Sequence, residues 1–358
     1  MPDRNTEESS GVNWKNPSKP SDSRRITPIR ETPPNDPAPD APPADENEPP
    51  QKIQTVFDAP LPKSQNETLG REGNYLFPVG RVGCGKSTLT THTLRYLLKS
   101  GEHLTEPNIE LSCENASFRR MLIELDEQWQ QGRFPEATPF RGPTEFAYAV
   151  TPLKKKGYPT LKFGFLEISG EDFKPLTDKD VPFPALLPSL DNFLENVNCN
   201  ICFLFICRGD NLAGDDFLFT RFLAYLNERI KRPLRAQCSA ALVLSDPEMC
   251  QRRLQFASNE PISGGPLDVD NFVKKFVPET AAKLAAWGDK AIITPFSVGT
   301  IKEEELPDGT IGQRLITDPS FTDASRLYNW LYYQFTGRSL GPGLFRRILD
   351  AVNSLGHD

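Results

Sequence analysis

Two glycines, a lysine and a serine follow one another at a spacing that suits phosphate binding. Gly80 and Gly85 are separated by four residues, and Lys86 and Ser87 come directly after Gly85. Glycines have no Cβ atom, so consecutive backbone N–H groups can point at an anion. In such a loop the lysine reaches the β- and γ-phosphates, and the serine hydroxyl binds Mg²⁺. The predicted ligand-binding residues are Gly80, Arg81, Val82, Gly83, Cys84, Gly85, Lys86, Ser87 and Thr88.

The residues on either side of this loop have the patterns of a strand and a helix. The apolar run 75–79 predicts a strand before the loop, and Leu89, Leu94 and Leu97 recur at helical spacing after it. We expect the helix over about 87–98, with a continuation past Ser100, and its positive N-terminal end would favour a bound phosphate. This context supports a phosphate-binding loop over a simple glycine turn, which is the alternative.

Two glutamates and a glycine follow a predicted hairpin. Residues 145–150 and 160–168 have strand patterns, and the short link through the lysines at 154–156 makes them antiparallel neighbours. Glu167, at the tip of the second strand, can hold Mg²⁺, usually through water. The Gly170 N–H can approach a γ-phosphate, and Glu171 directly follows Gly170. The lysine run is expected to be a solvated turn, with a phosphate or partner contact as the alternative.

These motifs, in this order, resemble the core of GTPases of the translation-factor and Ras-like class. Within that class, the segment 165–173 is similar to bacterial double-GTPase proteins of conflict systems. The resemblance covers about 74–337 and implies an α/β P-loop NTPase fold, with a three-layer, doubly wound sheet that includes an antiparallel hairpin. It also implies GTP and Mg²⁺ as ligands, a switch function, and a protein partner, for which a second GTPase is one candidate.

The chain departs from the pattern of that class at the hydrolytic site. The class has Asp where Glu167 stands, and Ras-like members have a water-orienting Gln where this chain has Glu171. The resemblance therefore implies a catalytic role for Glu171, in which its carboxylate orients or deprotonates a water molecule, with a weak hydrolase as the alternative. The resemblance also implies a Mg²⁺-binding threonine between the first helix and the hairpin. Thr138 is our preferred residue and Thr144 the alternative.

The base-recognition motif is also incomplete. After the predicted strand 240–244, the chain has Ser-Asp-Pro-Glu at 245–248, without the lysine that packs along guanine in the class. Glu248 can accept hydrogen bonds from guanine N1 and N2, and a loop with an acidic turn at 245–248 is the equally weighted alternative. Ser297 is a weaker candidate for a base contact.

Three functions therefore remain open. They are a GTP-hydrolysing switch, a nucleotide-binding scaffold that does not hydrolyse, and an ATPase. A small-molecule kinase is less favoured, because the predicted hairpin does not suit the parallel sheets of those enzymes.

The N-terminal part of the chain differs in composition from the rest. Of the 34 prolines, 14 fall in the first 63 residues, among Asp, Glu, Ser and Asn. Such a segment buries too little apolar surface to offset the entropy cost of ordering. We expect a disordered, proline-rich arm over 1–72 and one P-loop domain over 73–358 with a C-terminal helical extension. The amphipathic run 344–352 in that extension is expected to pack locally, or else to dock on a partner.

Charge and cysteine usage indicate the setting in which the protein works. The net charge of −7 argues against general nucleic-acid binding. No apolar run approaches the roughly 20 residues that a membrane span needs, so we expect a cytoplasmic protein. The spacing Cys199-x-x-Cys202 predicts a buried strand, with a metal or redox role as the alternative.

The rest of the sequence predicts alternating strands and helices. We expect strands at 200–207, 240–244 and 291–296, the last of these being the final strand of the chain. We expect helices at 117–129, 185–197, 215–231, 271–277, 279–287 and 323–335.

Overall fold

A computed structural model describes most of the chain after residue 71. The described residues are 72–107, 127–134, 144–181, 185–195, 198–230, 238–259, 265–305 and 311–340. All of them lie within the unit Pro60–Asp358. The predicted arm before Glu72, Thr138 and the run 344–352 lie outside the described residues.

The fold is built on a seven-stranded, mostly parallel sheet. Its spatial order is β2-β3-β4-β1-β5-β6-β7. Strands β4, β1, β5, β6 and β7 are parallel, whereas β3 runs antiparallel to both β4 and β2. The strands are β1 (Gly73–Val79), β2 (His103–Pro107), β3 (Thr144–Pro152), β4 (Leu161–Glu167), β5 (Cys199–Cys207), β6 (Cys238–Ser245) and β7 (Ala291–Phe296).

Helices cover both faces of this sheet. Helices α1 and α7 contribute to one apolar core, and α2 to α6 contribute to the core on the other face. A 3₁₀ helix, Gly170–Thr177, follows β4, and a π-helix, Leu226–Ile230, extends α3. The α-helices are α1 (Lys86–Lys99), α2 (Pro188–Glu195), α3 (Leu212–Tyr225), α4 (Pro247–Ser258), α5 (Val269–Phe276), α6 (Pro278–Ala285) and α7 (Thr322–Thr336). Within the described residues, no helix is long and apolar enough to cross a bilayer.

The central strand β5 is buried on both sides, as its continuous apolar run predicts. Phe203 and Phe205 belong to one core, and Cys202 belongs to the other. Cys199 and Cys202 therefore face opposite sides of the sheet and cannot bind one metal ion together. Burial raises the pKa of the Cys202 thiol to about 12. Both cysteines are core residues, which confirms the buried-strand prediction.

Two predictions about elements are wrong, and in both cases strands were missed. The first helix ends at Lys99 instead of continuing past Ser100, because Gly101 adopts a left-handed φ of +66°. The edge strand β2 then follows. The predicted last strand, β7, is followed by a separate antiparallel hairpin of β8 (Gly299–Glu305) and β9 (Ile311–Pro319). The three missed strands are mostly polar, so they carry little hydrophobic periodicity.

Candidate functional site

A cleft of about 600 Å³ opens where the carboxyl ends of the parallel strands meet. Segments after β1, β4, β5, β6 and β7 all contribute to its lining. Ligands of open parallel sheets commonly bind at this edge of the sheet. The segment 127–134 and the start of β8 complete its wall. The polar and charged residues that line it include Lys86, Ser87, Thr88, Gln128, Arg133, Ser169, Arg208, Ser245, Asp246, Glu248 and Ser297.

The glycine-rich turn after β1 surrounds the side chain of Lys86. Gly83 and Gly85 have φ values of +76° and +99°, which non-glycine residues rarely adopt. Lys86 is only 7% exposed. Its Nζ donates to the carbonyl oxygens of Gly80 and Arg81, both at 2.9 Å. The ammonium group is therefore held inside the loop at the start of α1.

The serine after this lysine contacts the first predicted carboxylate. The Ser87 hydroxyl donates to Oε1 of Glu167. This contact forms because β4 lies directly beside β1 in parallel register, which places the two strand tips together. A hydroxyl and a carboxylate are oxygen ligands of the kind Mg²⁺ prefers, so the pair fits that ion. Thr144, the alternative metal-binding threonine, lies opposite Glu167 in the β3–β4 register.

A metal site made of protein groups alone is absent from the described part of the chain. No group of three or more His, Cys, Asp or Glu residues there is arranged to hold a metal ion. Mg²⁺ commonly binds through one or two carboxylates together with substrate phosphates and water. The Ser87 and Glu167 pair matches that minimal arrangement.

Gly170 packs directly on the backbone of the glycine-rich loop. A Cβ atom at Gly170 would lie 2.2 Å from the nitrogen of Val82 and 2.5 Å from the carbonyl carbon of Arg81. The tight turn depends on Ser169, whose hydroxyl accepts from the Glu171 N–H at 3.3 Å and whose own N–H donates to Asp172 at 3.1 Å. The loop after β4 is thus fitted against the loop after β1.

The side chains of Glu171 and Asp172 lie in different environments. Lys174 forms an ion pair with Glu171 at 3.7 Å, and the Glu171 side chain is 48% exposed. Glu171 is not among the residues that line the cleft, whereas Ser169 and Gly170 are. Asp172 is buried, and that burial raises its pKa, although the Ser169 N–H and the nearby Lys86 charge oppose the rise.

Arg81 is directed away from the cleft. Its Nε donates to the buried carboxylate of Asp215 at 2.7 Å, and its Nη2 contacts Asp210 at 3.4 Å. Burial raises the pKa of Asp215, and the Arg81 hydrogen bond opposes that rise. The predicted loop residues Gly80 and Arg81 do not line the cleft, so their role is to shape the loop.

Cys84 is also a structural part of the loop. Its side chain is 2% exposed. A Cβ atom at Gly80 would lie 2.5 Å from the Cys84 Sγ, so the missing side chain of Gly80 makes room for the thiol. Burial raises the pKa of Cys84 to about 11, so the thiol stays protonated at neutral pH.

The C-terminal end of β6 is hydrogen-bonded to the glycine-rich loop. The Ser245 hydroxyl contacts the carbonyl oxygens of Cys84 at 2.8 Å and Cys207 at 3.2 Å. Asp246 then caps α4 by accepting from the Met249 N–H at 3.2 Å. A helix, and not a loop, begins at Pro247. Glu248, in the first turn of this helix, is exposed and lines the cleft.

The loop after β7 supplies Ser297. Its N–H donates to Asp323 at 2.9 Å, and its hydroxyl accepts from the Gly299 N–H at 3.1 Å. Ser297 lines the cleft, as expected for a ligand-contacting position.

The β8–β9 hairpin holds the segment 127–134 against the cleft. The Ile316 N–H donates to the carbonyl of Gly132 at 2.8 Å. A Cβ atom at Gly132 would lie 2.9 Å from the Ile316 carbonyl oxygen, so only glycine permits this approach. Arg133 follows directly, and its N–H donates to Gln128 at 2.8 Å. The hairpin therefore fixes the backbone from which Arg133 extends.

Several cleft residues were not predicted from the sequence. Arg208 directly follows the buried run 200–207, so its place at the carboxyl edge of the sheet could have been inferred. Arg133 had no such signal, because contacts distant in sequence hold its segment, namely the hydrogen bond from Ile316 to Gly132 and the stacking of Trp129 on His92. The missed residues include Gln128, Arg133, Phe134, Arg208, Asp246, Val298 and Ile301.

No family model matches the chain, and no curated protein matches it at a significant level. The function is therefore inferred from the geometry of the cleft.

Proposed function

We propose that this chain is a P-loop NTPase domain that binds a nucleoside triphosphate with Mg²⁺, and that GTP is the preferred nucleotide. Hydrolysis would make the protein a cytoplasmic molecular switch acting on a protein partner. The observation that carries this proposal is the contact between Ser87 and Glu167, formed next to the loop that encloses Lys86.

In this proposal each group at the loop has one task. Lys86 and the loop N–H groups would neutralise charge on the phosphates, because hydrolysis of this kind depends mainly on positioning and electrostatics. Ser87 and Glu167 would hold Mg²⁺, which would supply positive charge to the phosphate oxygens. Gly170 would present its N–H to the terminal phosphate, since it already lies against the loop backbone.

The distribution of charge along the cleft supports one orientation of the nucleotide. Lys86 and the N-terminal end of α1 lie after β1, and the carboxylates of Asp246 and Glu248 lie after β6. These strands are two positions apart in the sheet, which corresponds to about 10 Å. Phosphates would bind at the β1 end and the base at the β6 end. A carboxylate such as Glu248 can accept from the N1 and N2 donors of guanine.

A specific observation favours a second function, that of a nucleotide-binding scaffold that does not hydrolyse. The Glu171 carboxylate is paired with Lys174 and lies outside the cleft lining. In that position it does not orient a water molecule at the terminal phosphate. Nucleotide occupancy would then act only by ordering the loops around the cleft.

Binding and turnover measured together separate these functions. We would titrate the protein with non-hydrolysable GTP and ATP analogues, with and without Mg²⁺, and then follow release of diphosphate and phosphate from GTP and ATP. The proposal expects Mg²⁺-dependent binding that is tighter for the GTP analogue, together with GTP turnover. Binding without turnover would favour the scaffold, and tighter binding and faster turnover of ATP would favour an ATPase. Binding of neither analogue would refute the nucleotide function.

Glu171→Ala then tests the hydrolytic role directly. If Glu171 orients the water, turnover falls while affinity for the non-hydrolysable analogue stays within a few fold. Glu195→Ala, at the exposed end of α2, is a matched control that removes a carboxylate far from the cleft in sequence. Unchanged turnover in Glu171→Ala would assign water positioning to another group.

A further inference from the structure

Arg208 occupies the centre of the cleft edge. It directly follows β5, and β5 lies between β1, which carries the glycine-rich loop, and β6, which carries Ser245 and Asp246. Arg208 lines the cleft together with residues of both neighbouring segments. It is therefore placed between the two ends of the nucleotide in the orientation proposed above.

The backbone at Arg208 is held in place from the α4 side. The Cys250 thiol contacts the Arg208 carbonyl oxygen at 3.8 Å. The next residue, Gly209, has a φ of +93°, and a Cβ atom there would lie 3.3 Å from the Cys250 Sγ. Gly209 thus permits a close approach to α4. These contacts hold the backbone of Arg208, directly after β5, next to α4.

The Arg208 guanidinium is hydrogen-bonded to a backbone carbonyl of the glycine-rich loop. Its Nη1 donates to the carbonyl oxygen of Gly83 at 3.3 Å. The C=O and N–H of one trans peptide point in opposite directions, so the guanidinium lies on the side of the Gly83–Cys84 peptide opposite the Cys84 N–H. The guanidinium therefore lies beside the loop and outside the N–H face of this peptide.

We propose that Arg208 is the base-stacking residue of this cleft, an inference that rests on the proposed nucleotide-binding function. A guanidinium group is planar and stacks on the faces of aromatic rings, and every nucleobase has such a face. The hydrogen bond to Gly83 holds this plane at the junction of the phosphate and base ends. Arg208 would pack against the base, while Glu248 would accept hydrogen bonds from its edge.

Comparing ligands with and without a base tests the inference. We would measure the affinity of wild-type protein and of Arg208→Ala for Mg²⁺-bound GTP, Mg²⁺-bound ATP and inorganic tripolyphosphate, which has no base. Loss of a stacking contact is expected to weaken nucleotide binding by about 5- to 100-fold. Tripolyphosphate affinity should stay within about twofold, because Arg208 lies outside the phosphate-binding N–H groups. Arg252→Ala, an exposed arginine of α4 that does not line the cleft, is the matched control.

Arg208→Lys separates stacking from charge and from a structural role. Lysine keeps a cation and a donor for Gly83 and can pack its methylene stem along a base, but it loses the guanidinium plane, so its nucleotide affinity should lie between those of wild type and Arg208→Ala. Wild-type affinity in Arg208→Lys would overturn stacking through the guanidinium plane. An equal loss for nucleotide and tripolyphosphate in Arg208→Ala would also overturn it and would assign Arg208 to the phosphates or to the fold. If wild-type protein binds neither nucleotide, the proposed function is wrong and this inference falls with it. If wild-type protein binds and Arg208→Ala binds equally well, only the stacking role is wrong.

Discussion

Replacing Gly170 by alanine should displace the loop after β4 from the glycine-rich loop. The added Cβ atom would lie 2.2 Å from the nitrogen, and 2.7 Å from the Cα, of Val82. Non-bonded carbon atoms prefer separations of about 3.5–4.0 Å, so the two segments must move apart by roughly 1 Å. Both neighbours are backbone atoms, and no flexible side chain can yield instead. Gly170 does not have a left-handed φ, so the cost comes from space alone.

The size of the effect follows from the cost of overpacking a close contact. Such insertions destabilise proteins by about 1–3 kcal/mol. For a domain of this size, each kcal/mol shifts the melting temperature by about 2–4 °C, which gives a fall of about 2–12 °C. The affinity for a Mg²⁺-bound triphosphate should fall as well, because the Val82 N–H belongs to the predicted phosphate-binding loop and would move.

Thermal unfolding and nucleotide titration of Gly170→Ala provide the assay. Gly265→Ala is the matched control, since a Cβ atom at Gly265 meets no heavy atom within 4 Å and no left-handed φ is required there. The control should melt within about 1–2 °C of wild type, because exposed substitutions usually change stability by no more than about 0.5 kcal/mol. Equal melting temperatures for Gly170→Ala and wild type would refute the close packing of the two loops. A lower melting temperature with unchanged affinity would refute the link between this packing and nucleotide binding.

Four further predictions concern the charge of Lys86, Mg²⁺ binding at Glu167, the pH dependence of stability and the N-terminal arm. Lys86→Ala should abolish most triphosphate affinity and should lower stability by about 1–3 kcal/mol, because its two hydrogen bonds to loop carbonyls are lost, and unchanged affinity would contradict a phosphate-binding role for the loop. Glu167→Gln should weaken Mg²⁺-dependent triphosphate binding more than diphosphate binding, as titration with each nucleotide would measure, whereas equal losses would argue against a metal-holding carboxylate. Burial lowers the pKa of His92 to about 4, below the usual value of about 6.5. The neutral, buried imidazole therefore contributes stability above pH 6.5 that is lost as pH falls from 6.5 towards 4, by up to about 3 kcal/mol. Urea unfolding of wild type and His92→Phe across this range should show a smaller pH dependence in the variant, and identical slopes would contradict the assignment. Deleting residues 1–62 should leave the melting temperature of the remaining chain nearly unchanged, because that segment has no apolar pattern to pack, and a large fall would refute this expectation.

Local patterns in the sequence were enough to predict the elements that form the core of the site. The strand before Gly80 and the helix after it are both present, because the apolar residues of each are placed with the period of that element. The hairpin β3–β4 and the buried strand β5 are also confirmed. These predictions succeeded because short links and hydrophobic periodicity act within a few residues along the chain.

Spacing along the chain also identified groups that the fold brings together. Ser87 and Glu167 are separated by 80 residues, yet they are in contact because β1 and β4 pair in parallel. Gly170 lies against Val82 for the same reason. A strand-end position was sufficient to place Glu167 and Gly170 beside the loop, since the carboxyl ends of neighbouring parallel strands share one edge of the sheet. The contacts themselves were not predicted.

Only the tertiary structure decided which side chains face the cleft. Glu171 is one residue from Gly170, but the turn at Ser169 directs it towards Lys174. Arg208 contacts Gly83 because β5 was inserted between β1 and β6, and strand order is a global property that no local pattern carries. Arg133 lies at the cleft because its segment is hydrogen-bonded to the β8–β9 hairpin, which is far from it in sequence. The sequence by itself determined which residues form the glycine-rich loop, and the order of the strands determined the residues that surround it.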